Sequence, residues 1–162
     1  MKTEHALARL YEHQQAILDH LAASCEFMRQ DPHLARGPLA KARLEMFRLL
    51  RAYQLFKHTE IFDPVIRQGN AGQIASASRM KADCTAAGEA YRAYVNVWST
   101  RDVVDAWDSY RPAMIAMAQR LRSHIAVERA QVPQLLAGSS NTRRIALPME
   151  SSFTPMLRTG SS

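Results

Sequence analysis

The chain has 162 residues, of which 47% are apolar and 22% charged, and it carries a net charge of +6. A chain of this length suits one domain that buries roughly 70% of its unfolded surface, and the composition excludes a largely disordered or membrane-embedded protein. Met1 to Leu10 holds Lys2, Glu4 and Arg9 without a continuous apolar stretch, so it reads as neither a signal peptide nor an anchor. No window reaches the ~20 apolar residues needed to span a bilayer. Cys25 and Cys84 form no CxxC pair; free, inert thiols in a reducing cytoplasm are expected.

Four long stretches repeat apolar residues three and four apart, the mark of amphipathic helices. The first is predicted from about Thr3 to Arg29, with Leu10, His13, Ile17, Leu21, Ser24 and Met28 on its inward stripe. Asp31-Pro32-His33 ends it, because the residue before a proline disfavours helix. Gly37-Pro38 is expected to open the second helix, with proline in the first turn. Its predicted stripe is Leu44, Phe47, Leu50, Gln54, His58, Ile61 and Val65, and Gly69-Asn70-Ala71-Gly72 breaks it.

The third helix, about Gln73 to Trp98, places Met80, Cys84, Ala87, Tyr91, Tyr94 and Trp98 on one side. Ser99 or Thr100 is expected to cap a short extra helix containing Val103, Val104 and Trp107. Pro112 sets the start of the last helix near Asp108 or Ser109. That helix turns Met114, Met117, Leu121, His124, Glu128, Val132 and Leu135 inward, and Pro133 loosens its end. Strand signals are absent. The pattern implies an all-α, up-down antiparallel four-helix bundle over residues 1–137, followed by a disordered or loosely docked tail over 138–162.

The basic residues concentrate on the second helix, at Arg36, Lys41, Arg43, Arg48, Arg51 and Lys57, opposed there only by Glu45. They read as a solvated face. No aromatic interleaving or reading motif accompanies them, so nucleic acid is not an expected partner; an acidic protein surface is the partner that fits.

The informative residues are polar ones on apolar stripes. His13 falls between Leu10 and Ile17, Gln54 and His58 lie one turn apart, and so do His124 and Glu128. An i, i+4 pair projects from one helix face and can chelate an ion, or one member can orient the other. Bundle cores build metal sites from such pairs on facing helices. A buried Glu128 needs a metal, a cationic histidine or a hydrogen-bond network. The alternative is a neutral histidine–glutamate network that fixes helix register.

These stretches resemble the hemerythrin-like (HHE cation-binding) family. Leu10 to Leu18 is similar to its first helix, Gln54 to Pro64 to its second and His124 to Pro133 to its last, while Tyr91–Trp98 with Val104–Trp107 resembles a bacterial branch. The resemblance covers residues 5–137. It implies a bundle fold and, in full members, a di-iron site of five histidines and two bridging carboxylates. This chain departs from that pattern: no histidine occurs between His58 and His124, and Gln54…His58 stands where a histidine and a carboxylate belong. The ligands it retains are His13, His124 and Glu128, with His58 in a carboxylate position and Gln54 and Glu60 as alternates. One iron or zinc ion on His13, His58, His124 and Glu128, or a metal-free bundle, is expected in place of a di-iron centre. The function this implies is a regulatory or sensory module without catalytic activity. Two rivals are a small non-haem iron enzyme of redox or nitric-oxide defence, and an interaction or phosphotransfer bundle. Phosphotransfer needs an exposed histidine, whereas His58 and His124 are expected to face inward.

Overall fold

The computed structural model describes residues 2–142, with side chains through Gly138. The described residues build four long helices and a short one, without strands. Helix α1 spans Lys2–Phe27 and buries Leu10, Gln14, Ile17, Leu21 and Ser24. Gln14 thus takes the inward place between Leu10 and Ile17, and His13 beside it is half-buried.

Helix α2 spans Pro32–Lys57, opening one proline earlier than expected. Pro32 occupies its first turn, and the Asp31 carboxylate accepts the His33 amide at 2.8 Å as the N-cap. Pro38 therefore lies inside the helix, at an exposed stretch beside Leu34, where water can reach the carbonyl that proline leaves unpaired. Its buried face is Leu39, Met46, Tyr53, Phe56 and Lys57, one residue out of phase with the predicted stripe; Leu44 is exposed.

The phase difference has a local cause. Residues His58–Phe62 form a π-helical turn in which the Asp63 amide donates to the His58 carbonyl. Pro64 follows, and its ring has no N–H for the carbonyl four residues back, a standard cause of widening. The extra residue resets the register, so Ile61, Phe62 and Val65 point inward again. Helix α3, Asp63–Gln68, continues from this turn.

Helix α4, Ala71–Thr100, starts with a capping box: Asn70 Oδ1 accepts from the Gln73 amide and Gln73 Oε1 from the Asn70 amide, both at 2.9 Å. Gln73 Nε2 also donates to the Leu135 carbonyl, tying this end to the last helix. The expected short extra helix is absent. Ser99 and Thr100 belong to the last turn of α4, where their hydroxyls donate to carbonyls three and four residues back. Only a tight turn remains, with the Asp102 carboxylate accepting from Val104 N and its carbonyl from Ala106 N.

Helix α5, Trp107–Thr142, runs through both Pro112 and Pro133. It passes the expected domain boundary at residue 137, so residues 138–142 are helical; residues 143–162 of the predicted tail lie outside the described residues. α1 packs on α2 and α5, α4 packs on α2 and α5, and α3 lies on α4. None of the described helices is long and apolar enough to cross a membrane.

Two hydrophobic clusters result. The larger joins Leu10, Ile17, Tyr53, Ile61, Cys84, Leu121 and Val132 among others; the smaller gathers Met28, Leu39, Trp98, Val103, Tyr110 and Met114. The polar centre described next is embedded in the larger one.

Candidate functional site

Glu128 is the pivot of the site. It projects from α5 and is 3% exposed, in the midst of the larger apolar cluster. Burial alone would force such a carboxyl to its neutral form. Lys57, 1% exposed, answers it from the last turn of α2, with Nζ 2.8 Å from each carboxylate oxygen. The ammonium also lies 3.9 Å from the centroid of the Tyr53 ring, one helical turn earlier.

The remaining lone pairs and donors are met by a chain of side chains. Tyr53 OH donates to Glu128 Oε1 at 3.0 Å and accepts from Gln14 Nε2 at 3.0 Å. Arg129 Nε donates to Gln14 Oε1 at 3.1 Å, closing the chain toward the surface. Burial pushes the Tyr53 hydroxyl far above its ordinary pKa, helped by the Glu128 charge, so it stays protonated and donates.

His124 and Cys84 complete the centre. His124 Nε2 is 3.0 Å from Glu128 Oε1, at ion-pair distance, yet this buried nitrogen makes no hydrogen bond of good geometry. Burial works against the protonation of His124, yet the neighbouring Cys84 and Glu128 side chains raise its pKa to about 9. Burial likewise opposes the Glu128 carboxylate, while His124 and Lys57 hold its pKa below the ordinary value. One donor atom each from Cys84, His124 and Glu128 lie within 4.8 Å of one another.

These three could hold a single metal ion. A thiolate, an imidazole and a carboxylate suit zinc or iron(II), and the unpartnered Nε2 of His124 is the nitrogen available to it. A di-iron cluster does not fit. Among the described residues this is the one group of three or more ligating side chains so arranged, and two irons need several ligands each with bridging carboxylates.

Of the residues expected at a metal site, His124 and Glu128 are brought together and the others are not. His13 stacks on Phe56 with ring centroids 5.0 Å apart, and burial, then Arg9, lowers its pKa. His58 opens the π-helical turn beside Phe62, with a buried Nε2 that has no hydrogen-bond partner. Burial first, then Lys81 and Lys57, lowers its pKa too. Gln54 lies on Gly88, where an added Cβ would come within 2.7 Å of its Oε1. Glu60 is exposed. His13, His58 and Glu60 do not join the three-donor group, whereas Gln54 borders the same small cavity as Cys84 and His124.

Lys57, Tyr53, Gln14 and Cys84 are the members that sequence reasoning missed. Lys57 reads from the sequence as part of the solvated basic face, yet it is one of the most deeply buried side chains. A signal was present: Leu50, Tyr53 and Lys57 have helical spacing, and a polar residue on such a stripe is as informative as His58 beside it. Cys84 lies on the expected stripe, where the sequence alone reads as packing. No family model, curated protein or solved structure matches the chain.

Proposed function

We propose that this chain is a degenerate hemerythrin-like bundle of the cytoplasm, up-down and antiparallel, that acts as a regulatory or sensory module rather than as a dioxygen carrier. The observation that carries the reading is the bidentate contact of Lys57 with Glu128. In this reading an internal ammonium neutralises the carboxylate that would otherwise ligate a metal. The donor set leaves room for one ion and no bridged pair. The smaller cluster joins the end of α1 to the start of α2, and the end of α4 to the start of α5, which supports the up-down arrangement.

A network with members on α1, α2, α4 and α5 couples any change at its centre to the whole bundle. The outward signal would pass through the exposed part of the α2 basic face, Lys41, Arg48 and Arg51, to an acidic protein surface, with binding that weakens as salt rises. The deciding experiment is anaerobic iron loading of the full chain, with metal analysis and optical spectra. At most one iron per chain, without an oxo-bridged absorption band or oxygen-dependent turnover, is expected. Two irons with that band would overturn the reading. Turnover lost in His124→Ala would move the protein to the redox enzymes.

A further inference from the structure

The centre has two properties that a closed ion pair does not require. The first is the buried Nε2 of His124, which lies at ion-pair distance from Glu128 yet makes no hydrogen bond. The second is a cavity of about 30 Å³ bordered by Lys57, Cys84, His124, Gln54 and Gly88. That is room for about a water molecule or two. A metal-binding triad on one side, an ammonium on the same carboxylate and a small space between them define two alternative arrangements.

We infer that Cys84, His124 and Glu128 form a site for one divalent cation of the zinc class, and that the Lys57 ammonium and the ion compete for the Glu128 carboxylate. The inference deepens the regulatory reading by naming its signal, and rests on that reading only for the purpose of the switch.

The chemistry of exchange is simple. The ion takes one oxygen of Glu128, the imidazole nitrogen of His124 and the sulfur of Cys84. The thiol and, where protonated, the imidazolium each release a proton to solvent. Water in the cavity supplies the fourth position of a tetrahedral site. Both Glu128 oxygens now face Lys57 Nζ at 2.8 Å. An incoming dication therefore meets a fixed positive charge across a few ångströms of low-dielectric core, and one of the two must leave. When the ion binds, Lys57 gives up Glu128, and the small cavity is left to the ion and its water. Removal of Lys57 from Glu128 leaves the Tyr53 hydroxyl to hold α2 to α5 at the centre, while Cys84 ties α4 to α5 in exchange.

Cobalt(II) is the probe, because thiolate ligation gives it a charge-transfer band that zinc lacks. The full chain, Lys57→Met and Lys57→Met/Cys84→Ser would be titrated with cobalt(II) alone, with circular dichroism recorded throughout. Lys57→Met is expected to bind one cobalt ~10- to 100-fold more tightly than wild type, the scale on which partners of a ligand tune affinity. The band should vanish in the Cys84→Ser double variant. Equal affinity in wild type and Lys57→Met, or a band that survives loss of Cys84, would overturn the inference. Should Lys57→Met not fold alone, recovery of its helical signal with zinc carries the inference and failure to recover overturns it. Lys57→Met/Glu128→Gln, which removes both charges, should fold and bind cobalt no more tightly than wild type. Unchanged cobalt affinity would leave the bundle reading standing, whereas two irons in the loading experiment would sink that reading and not this one.

Discussion

Two regions of the molecule place a cation from α2 against an aromatic ring, and they resolve its charge in opposite ways. At the centre, Lys57 sits over Tyr53 and meets both oxygens of Glu128. Toward the other end, Arg43 lies 5.6 Å from the Tyr110 ring and meets only neutral acceptors, Tyr110 OH and the Trp98 carbonyl, both at 3.3 Å. The carbonyl belongs to the last turns of α4, where the helix dipole favours a positive charge. Arg43 is half-exposed and Lys57 is 1% exposed. A cation with access to water can be held by dipoles, whereas one without it needs a full countercharge.

If this contrast is correct, the largest loss comes from separating the central pair. Lys57→Met leaves Glu128 buried without its cation, and should cost about 3–5 kcal/mol in denaturant unfolding. Lys57→Met/Glu128→Gln should recover much of that loss, since an uncompensated charge costs more than an absent pair. A loss no larger than that of an exposed pair would break the comparison.

The next effect is on pH. His124, raised to about 9 from the ordinary 6.5, contributes stability that is full below about 6.5 and is lost as pH rises through about 9. Glu128, whose folded pKa is lowered, contributes stability that is present above its unfolded value of 4.5 and is lost as pH falls through the folded one. Urea midpoints should therefore fall on both sides of a mildly acidic plateau. His124→Gln should flatten the alkaline limb alone.

Arg43→Met should cost about 1–2 kcal/mol, because Tyr110 and Trp98 lose a donor but no buried charge is stranded. Asn70→Ala removes one arm of the α4 capping box and should cost about 1 kcal/mol. Glu45→Gln is the smallest: its contact with Arg48 at 3.6 Å joins two well-exposed side chains, and the unfolding midpoint should stay within about 0.5 kcal/mol of wild type.

The helical content and most of the inward faces of α1, α4 and α5 were legible in the sequence. Periodicity reports burial directly where a helix keeps one pitch, as from Met114 to Leu135. It failed on α2 because two phases had to be joined through one stripe. Ile61 within the π-helical turn and Val65 after it are inward, and extending their spacing backwards lands on His58 and Gln54 rather than on Lys57 and Tyr53. Two of the three members of the donor group, His124 and Glu128 on α5, are legible because i, i+4 spacing is a property of one helix. Cys84 and Lys57 were missed because their roles depend on which helix lies opposite, and local spacing carries no such information. The basic composition of α2 reinforced the error, since a lysine among arginines reads as surface.

The π-helical turn also gives this chain a particular tolerance to changes in length. It is one residue longer than an α-turn between the same ends, so deleting exposed Thr59 or Glu60 can restore α pitch locally. Lys57 on one side and Val65 on the other would then keep their faces. The same deletion at Ala52 has no slack to draw on: it rotates everything upstream by about 100° relative to Lys57 and parts Met46 from the core that Lys57 shares. At this bend the fold can lose a residue without losing its register, and along the rest of α2 it cannot.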